Sequence, residues 1–522
     1  MKIFFQRVAR SATIAIEISF FSALILAARW ANYQDVFVAG NVYFTDADCY
    51  ARMTRVWMCQ KHPGLIVRHH DFENFPQGTT PHTTAPLDYL ILALSILLKP
   101  FTAHSADLAG ALISPLLGLV GGWFLWWWSR RMNLRYRWIM LILYAISPVL
   151  VHATKLGRPD HHSLVVFLVT VAICTEWTLQ FERSTKWSIV SGMAWGLAFW
   201  VSLYEPLVLF ALVAGCAALR RPEFFRAPHR RPGWIVLVAI LAIAFLIERR
   251  LPELRPFYSG QTFANWSHTV TELVSVSPLH PIWFQWAGWL LIAAPVLSWC
   301  AFRRKSLPPT FVSVLLVSTY LLTIWEARWA YFFMSIFALA LPSLLEVFRS
   351  RILVWSIFIV SLFPILRDWD GRLWPNEAEY VRIIEQRNES VQLHDLALNL
   401  QSSEKHPFLA QWWLSPAIAY WSGQPGVAGS SHESMDGVAE SARFFVSRDW
   451  ETARKILKDH RVAWVVVYDS ERAAQNSATI LGVPMPQHPI CFALDRTPSR
   501  APPFLAFSAQ NGASKLYRIV ER

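Results

Sequence analysis

Charge is scarce in this chain. Only 16% of its 522 residues are Asp, Glu, Lys or Arg, against a hydrophobic share of 54%. A soluble chain of this length divides into several domains of more average composition, so that class is excluded. Cysteine is scarcer still, with six residues and no spacing that suits a zinc site. Cys174, Cys216 and Cys300 fall inside apolar runs and read as packing residues, while Cys49 and Cys59 lie close enough in sequence to pair in an oxidising compartment. Internal repeats and low-complexity segments are absent. The opening "MKIFFQRVAR" and the apolar run to Trp30 lack a small-residue cleavage site, which predicts a retained anchor and not a removed signal.

What the sequence has in abundance is apolar length. It carries 27 Trp and 34 Phe, its mean hydropathy is +0.31, and its apolar runs recur at about the 17–25 residues that a helix needs to cross a bilayer core. The net charge of +12 would suit a nucleic-acid binder if it formed one patch. It is bunched instead in short loops, "RRMNLRYR" (130–137), "RRPEFFRAPHRRP" (220–232) and "RRK" (303–305), as expected for cytoplasmic loops. Nucleic acid is therefore excluded as a partner, and membrane lipids are expected.

Lys2, Arg7 and Arg10 place the N-terminus in the cytoplasm. Spans are expected near 12–30, 107–128, 138–154, 163–181, 187–204, 205–219, 233–248, 283–302, 309–325, 329–346 and 352–366. The run "LDYLILALSILL" (87–98) is too short to cross and reads as an interfacial or re-entrant helix. This parity puts the three basic loops inside. Outside fall 31–86 with "TDADCY", 155–162 with "GRPDHH", 249–282 with "TVTEL" and 325–328 with "WEAR". From about Arg367 the apolar runs stop. There "NEAEYVRIIEQ" and "DWETARKILKDH" read as helices and "AWVVVY" (463–468) as a buried strand, which is enough for one α/β domain. The expected architecture is a polytopic α-helical membrane protein of about 11–13 transmembrane helices with a C-terminal extracytoplasmic α/β domain. Residues 1–366 form the membrane domain and 367–522 the soluble one.

The chemistry gathers on that outer face. Asp46 and Asp48 stand two apart just beyond the first span, and Asp160, His161 and His162 stand together in "GRPDHH". Carboxylate oxygens suit Mg²⁺ or Mn²⁺, and an adjacent imidazole tilts the choice toward Mn²⁺ or another transition metal. Glu272 lies in a long outer loop beside Pro278, His280 and Pro281. Arg328 begins a span, where it reads either as a snorkelling anchor or as a guanidinium for a headgroup-level phosphate. Trp412 and Trp413 are adjacent in the soluble domain and read first as core packing. A cation beside the membrane can neutralise a lipid-linked phosphate, and a further carboxylate can orient an acceptor.

In order along the chain, these motifs resemble the catalytic subunit of oligosaccharyltransferase and its single-subunit bacterial and archaeal relatives, which have a C-type glycosyltransferase fold. "DADCYARM" resembles the first-loop Asp motif, with Asp48 at the catalytic position. "SPVLVHATKLGRPDHH" resembles the second outer loop, implying Asp160 and His162 as metal ligands. "TVTE" is similar to the Thr-Ile-x-Glu motif, implying Glu272 as the third acidic group, and "RWAY" resembles the segment whose Arg contacts the donor diphosphate, implying Arg328. Two positions depart. The Trp-Trp-Asp motif reads "WWL", so Leu414 replaces the Asp that accepts the Ser or Thr hydroxyl of the acceptor sequon, and Leu has no atom for that task. An Arg expected seven residues before Asp160 is Ala153, with Lys155 or Arg158 placed to supply the charge.

The resemblance implies a metal-dependent membrane glycosyltransferase of the cytoplasmic (plasma) membrane, its C-terminal domain periplasmic. It implies transfer of a glycan from a polyprenyl-(di)phosphate to a peptide, protein or other glycan acceptor. Asp48 and Glu272 are the catalytic candidates; Asp48, Asp160, His162 and Glu272 are the ligands of Mn²⁺ or Mg²⁺. Arg328 is the donor-diphosphate contact, Trp412 and Trp413 the acceptor contacts, and Asp46, His161 and Arg158 the secondary candidates. A hydroxyl, lipid-linked or envelope-glycan acceptor is the alternative that Leu414 raises, and an inactive scaffold is another. A transporter or flippase would place ionisable residues in mid-span, where this sequence has few.

Overall fold

The computed structural model describes residues 2–520 apart from 82–84, 221–222, 224–226, 251–259 and 305, with the backbone alone over 2–10. Parts of the expected loops 220–232, 249–282 and 303–305 lie outside the described residues. The chain divides into two compact units. The first comprises Met1–Tyr33, Leu112–Arg249 and Ser275–Asn376; the second comprises Gln34–Ala111, Arg250–Val274 and Glu377–Arg522.

The first unit is a helical bundle. Its innermost helices, His161–Leu179 and Ala330–Leu345, are buried on nearly every side, so they read as apolar all round with no polar stripe. Arg231–Glu248 and Leu290–Arg304 turn Ile235, Val238, Phe245, Leu246, Ile292, Val296 and Trp299 outward. An apolar surface of that extent is covered by lipid, not water. Among the described residues five helices are long and apolar enough to cross a membrane, or seven when two bent pairs each count as one span. Four shorter helices, Thr185–Val201, Tyr204–Arg220, Leu290–Arg304 and Thr310–Trp325, occupy the remaining expected segments.

Three expected spans are broken, each at an identifiable residue. Helices Arg137–Ile146 and Pro148–Thr154 meet at 60° where Pro148 opens the second, because its ring cannot continue the preceding turn. Arg351–Ser361 and Phe363–Leu373 meet at 41° at Pro364. The segment 283–302 is not one helix but two, Ile282–Ala287 and Leu290–Arg304, divided at Gly288 with φ +73°. Several ionisable side chains inside the bundle are paired. Glu176 bonds Arg230 at 2.8 Å, and Glu17 takes both Arg130 and Arg137, at 3.2 and 2.7 Å.

The second unit is built on a four-stranded sheet. After a short ribbon of β1 (Phe37–Val38) and β2 (Asn41–Val42), strands β3 (Phe408–Leu409), β4 (Trp464–Val467), β5 (Leu505–Asn511) and β6 (Ser514–Ile519) run in the order β3-β4-β6-β5. The β3–β4 pair is parallel and the others antiparallel. Alternation along β4 sends Val465 and Val467 into one core with Phe444, Leu457 and Tyr517, and Val466 into another with Leu393, Phe408 and Ile418. Helix Ala47–Lys61 and helix Ala85–Leu98 belong to this unit and are tied to each other by Asp88, which takes Arg52 at 2.6 Å and Arg55 at 3.4 Å. At 14 residues the second of these is about 21 Å long, short of a bilayer core. All six cysteines are free, so the pairing considered for Cys49 and Cys59 does not form. Both sit on one helix ten residues apart, roughly 15 Å along its axis and beyond disulfide reach.

Candidate active site

In the first unit the chain leaves helix Pro148–Thr154, turns at Gly157 with φ +73°, and enters helix His161–Leu179 with Asp160 at the N-cap. An Asp in that place normally accepts from the backbone N–H groups of the first turn. Asp160 does not; its side chain makes no capping bond. Its two oxygens go instead to imidazoles, Oδ1 to His161 Nδ1 at 2.7 Å and Oδ2 to His162 Nδ1 at 2.8 Å. Their ligand atoms lie within 4.8 Å of one another, a donor set that suits a divalent cation.

Arg158 closes the other side. Its Nη2 reaches Asp160 Oδ2 at 3.1 Å and its Nη1 lies 3.0 Å from His152 Nε2. A guanidinium only donates, so His152 Nε2 accepts and His152 Nδ1 donates to the Tyr331 hydroxyl at 2.9 Å. Arg158 thus sets a buried guanidinium directly against Asp160. Burial pushes the Asp160 carboxyl up, but His162 and His161 outweigh it and hold the group well below the usual carboxylate range.

One participant is absent from the sequence reading. Glu205, 1% exposed at the start of helix Tyr204–Arg220, sits with Oε1 3.7 Å from His162 Nε2 and 3.5 Å from Arg328 Nη1. Arg328 also lies 3.8 Å from Glu326. The first unit therefore brings Arg158, Asp160, His161, His162 and Arg328 together, with Glu205 joining the Arg328 end to the histidine end. The only sequence signal was a lone acid, just before Pro206, in an otherwise apolar run.

The remaining candidates belong to the second unit. Asp46 caps helix Ala47–Lys61, accepting from Cys49 N–H at 3.0 Å, while Asp48 stands exposed in the first turn. Glu272 is half-buried on a turn whose neighbours Val270 and Leu273 pack against Trp266, Val438 and Ile480. Trp412 lies edge-on to Trp266 and donates to Asn476 Oδ1 at 2.9 Å; the Arg472 guanidinium covers the Trp413 ring. Leu414 is partly buried and packs against the core that holds Leu393, Phe408 and Ile418. Unforeseen in this unit is a buried pair, His70 Nε2 3.9 Å from Glu73 Oε2, with His70 stacked on Phe72.

No family model matches the chain. A stretch of 170 residues, 32% of the chain, is 28% identical to dolichyl-phosphooligosaccharide-protein glycotransferase 1 of Archaeoglobus fulgidus and spans 27% of that relative's length. Among solved structures, the oligosaccharyltransferase of Archaeoglobus fulgidus tethered with an acceptor peptide superposes with a TM-score of 0.64 at 15% identity, over 89% of this chain and 70% of that one. The same archaeal enzyme in complex with Zn and sulfate gives 0.58 at 15% identity, with the same coverage. ArnT from Cupriavidus metallidurans bound to undecaprenyl phosphate gives 0.59 at 14% identity, over 96% and 97%. The chain is thus similar in sequence to an archaeal oligosaccharyltransferase over a third of its length, and it has the C-type glycosyltransferase fold of that enzyme and of ArnT.

Proposed function

We propose that this protein is an integral-membrane glycosyltransferase. It moves a glycan from a polyprenyl-(di)phosphate to an acceptor on the extracytoplasmic face. One observation carries most weight: a buried N-cap carboxylate, Asp160, is withdrawn from its own helix and given to two imidazoles. Capping by Asp is worth about 1 kcal/mol, and forgoing it at a buried site needs a compensating use. The similar archaeal enzyme, solved with Zn and sulfate or with an acceptor peptide, and ArnT, solved with a polyprenyl phosphate, support that use.

The donor atoms fit a divalent cation, Mn²⁺ before Mg²⁺ because of the imidazoles. Asp160 and His162 would hold it, and His161 stands beside them. When bound, the cation supplies positive charge against the charge that develops on the phosphate leaving group. Arg328 adds a guanidinium, a planar cation that fits phosphate oxygens in a fork. Arg158 fixes Asp160 in place through its Nη2 contact at 3.1 Å. Asp48 and Glu272 engage the N–H groups of an amide acceptor; for a hydroxyl acceptor, Asp48 takes the proton. In this arrangement residues 1–366, with outer loops 31–86, 155–162 and 249–282, carry the transfer. Residues 367–522 form the periplasmic domain that meets the acceptor through Trp412 and Trp413, and the N-terminus is cytoplasmic.

A second acceptor class is favoured by Leu414, whose partly buried side chain packs against an apolar core and has no hydrogen-bonding atom for a sequon hydroxyl. Incubating the purified protein and Mn²⁺ with a labelled polyprenyl-diphosphate glycan, and with either a sequon peptide or hydroxyl and glycan acceptors, separates the two. Product is expected in at least one arm, reduced about 10²–10³-fold in Asp160→Ala and Glu272→Ala. Glycopeptide would assign a protein acceptor, and product only in the other arm the alternative.

A further inference from the structure

We propose that Glu205 is a positioning residue for the cation site, the outer carboxylate that selects the tautomer of His162. The inference rests on the metal-dependent transferase proposed above and adds to it a residue that carries none of the resembling motifs. A cation shared by Asp160 and His162 needs a lone pair on the His162 nitrogen that faces Asp160, which is Nδ1 at 2.8 Å. Without a cation that nitrogen donates to the Asp160 carboxylate; a cation would take the place of this hydrogen and leave the ring hydrogen on Nε2, where an acceptor opposite favours it. The group opposite is Glu205 Oε1, 3.7 Å from Nε2. Metal-ligating imidazoles are commonly held from behind by a carboxylate in this way.

The carboxylate is itself aimed. Ser202 Oγ donates to Glu205 Oε2 at 2.8 Å, which turns Oε1 toward His162 and Arg328. Glu205 is 1% exposed, and its charge is balanced by the Arg328 guanidinium at 3.5 Å, with the His162 Nε2 edge facing the same oxygen. One oxygen thereby faces both the candidate cation ligand and the candidate phosphate contact. Moving Glu205 would disturb both, whereas a purely structural ion pair would involve Arg328 alone.

The test measures Mn²⁺ affinity by calorimetry on the full-length protein in detergent, for wild type, His162→Ala, Glu205→Gln and the double variant. Melting temperature without Mn²⁺ monitors folding. Glu205→Gln is expected to weaken Mn²⁺ binding about 10–100-fold. The double variant should bind no more weakly than His162→Ala, because Glu205 acts through that ring. Nitrogen modulation in the Mn²⁺ electron spin echo, present in wild type, should shrink in Glu205→Gln. Should Glu205→Gln fail to fold, Glu205→Asp, which draws the carboxylate back from Nε2, is judged by the same criteria. Wild-type affinity in the Glu205 variant would overturn the inference, as would an equal further loss on the His162→Ala background. No Mn²⁺ binding by wild type would instead overturn the metal reading, and the inference with it.

Discussion

Asp160 and Arg158 illustrate what burial does to a charged pair. Arg158 is 5% exposed and bridges Asp160 to His152, so truncating it empties a buried site and leaves the carboxylate with its two imidazoles alone. Arg158→Ala should destabilise the membrane unit by about 3–5 kcal/mol, read as a large drop in melting temperature in detergent. A fall no greater than that of a lipid-facing control such as Ile235→Ala would mean the pair contributes little. Glu73 presents the opposite case. Burial pushes its carboxyl up to about 7, against the pull of the Ser430 N–H and of Arg55, with Asp48 and Glu433 adding to the rise. Below its ordinary value near 4.5 the acid is neutral whether folded or not, so it has no pH-dependent effect. Between about 4.5 and 7 the unfolded chain ionises while the folded one resists, and stability falls as pH rises. The loss is of order 3 kcal/mol and is complete above pH 7. Comparing denaturation at pH 5 and pH 8, Glu73→Gln should remove much of the pH dependence of wild type; unchanged dependence would place Glu73's ionisation elsewhere.

Helices packed through glycine give the sharpest expectation at the level of elements. A Cβ on Gly192 would stand 2.0 Å from the Gly233 carbonyl oxygen, so Thr185–Val201 and Arg231–Glu248 approach backbone to backbone. Gly192→Ala should lower stability by roughly 1–3 kcal/mol, as overpacking does, and a melting temperature equal to wild type would show that the pair can separate freely. The helical segments were legible in the sequence because spanning depends on apolar length, a property of composition. Their breaks at Pro148, Gly288 and Pro364 were not called, since whether such a residue bends or ends a span depends on its neighbours. Strand β4 was legible as a continuous apolar run, but β5 and β6 alternate polar residues on a half-exposed hairpin turned at Gly512, and no run marks them. In the site, the Asp160–His162 group was visible because its members are adjacent. Glu205 was not, because its meaning comes from Arg328, 123 residues away in sequence.

The outward apolar helices and the basic loops describe a molecule that works at a membrane, and the fold is that of enzymes solved with acceptor peptide or polyprenyl phosphate. What the whole chain adds is a buried set of carboxylate, imidazole and guanidinium groups in its first unit and, in its second, a Leu414 side chain with no hydrogen-bonding atom. The proposed function accordingly predicts donor chemistry at the first unit's site. The most direct measurement is therefore made on the donor. Full-length protein in nanodiscs is given Mn²⁺, a labelled polyprenyl-diphosphate glycan and a mixture of peptide, hydroxyl and glycan acceptors, and free polyprenyl diphosphate is followed with time. Release that depends on acceptor and Mn²⁺ and falls at least about 10²-fold in Asp160→Ala is the predicted result. Absence of release with every acceptor, or equal release by wild type and Asp160→Ala, would contradict it.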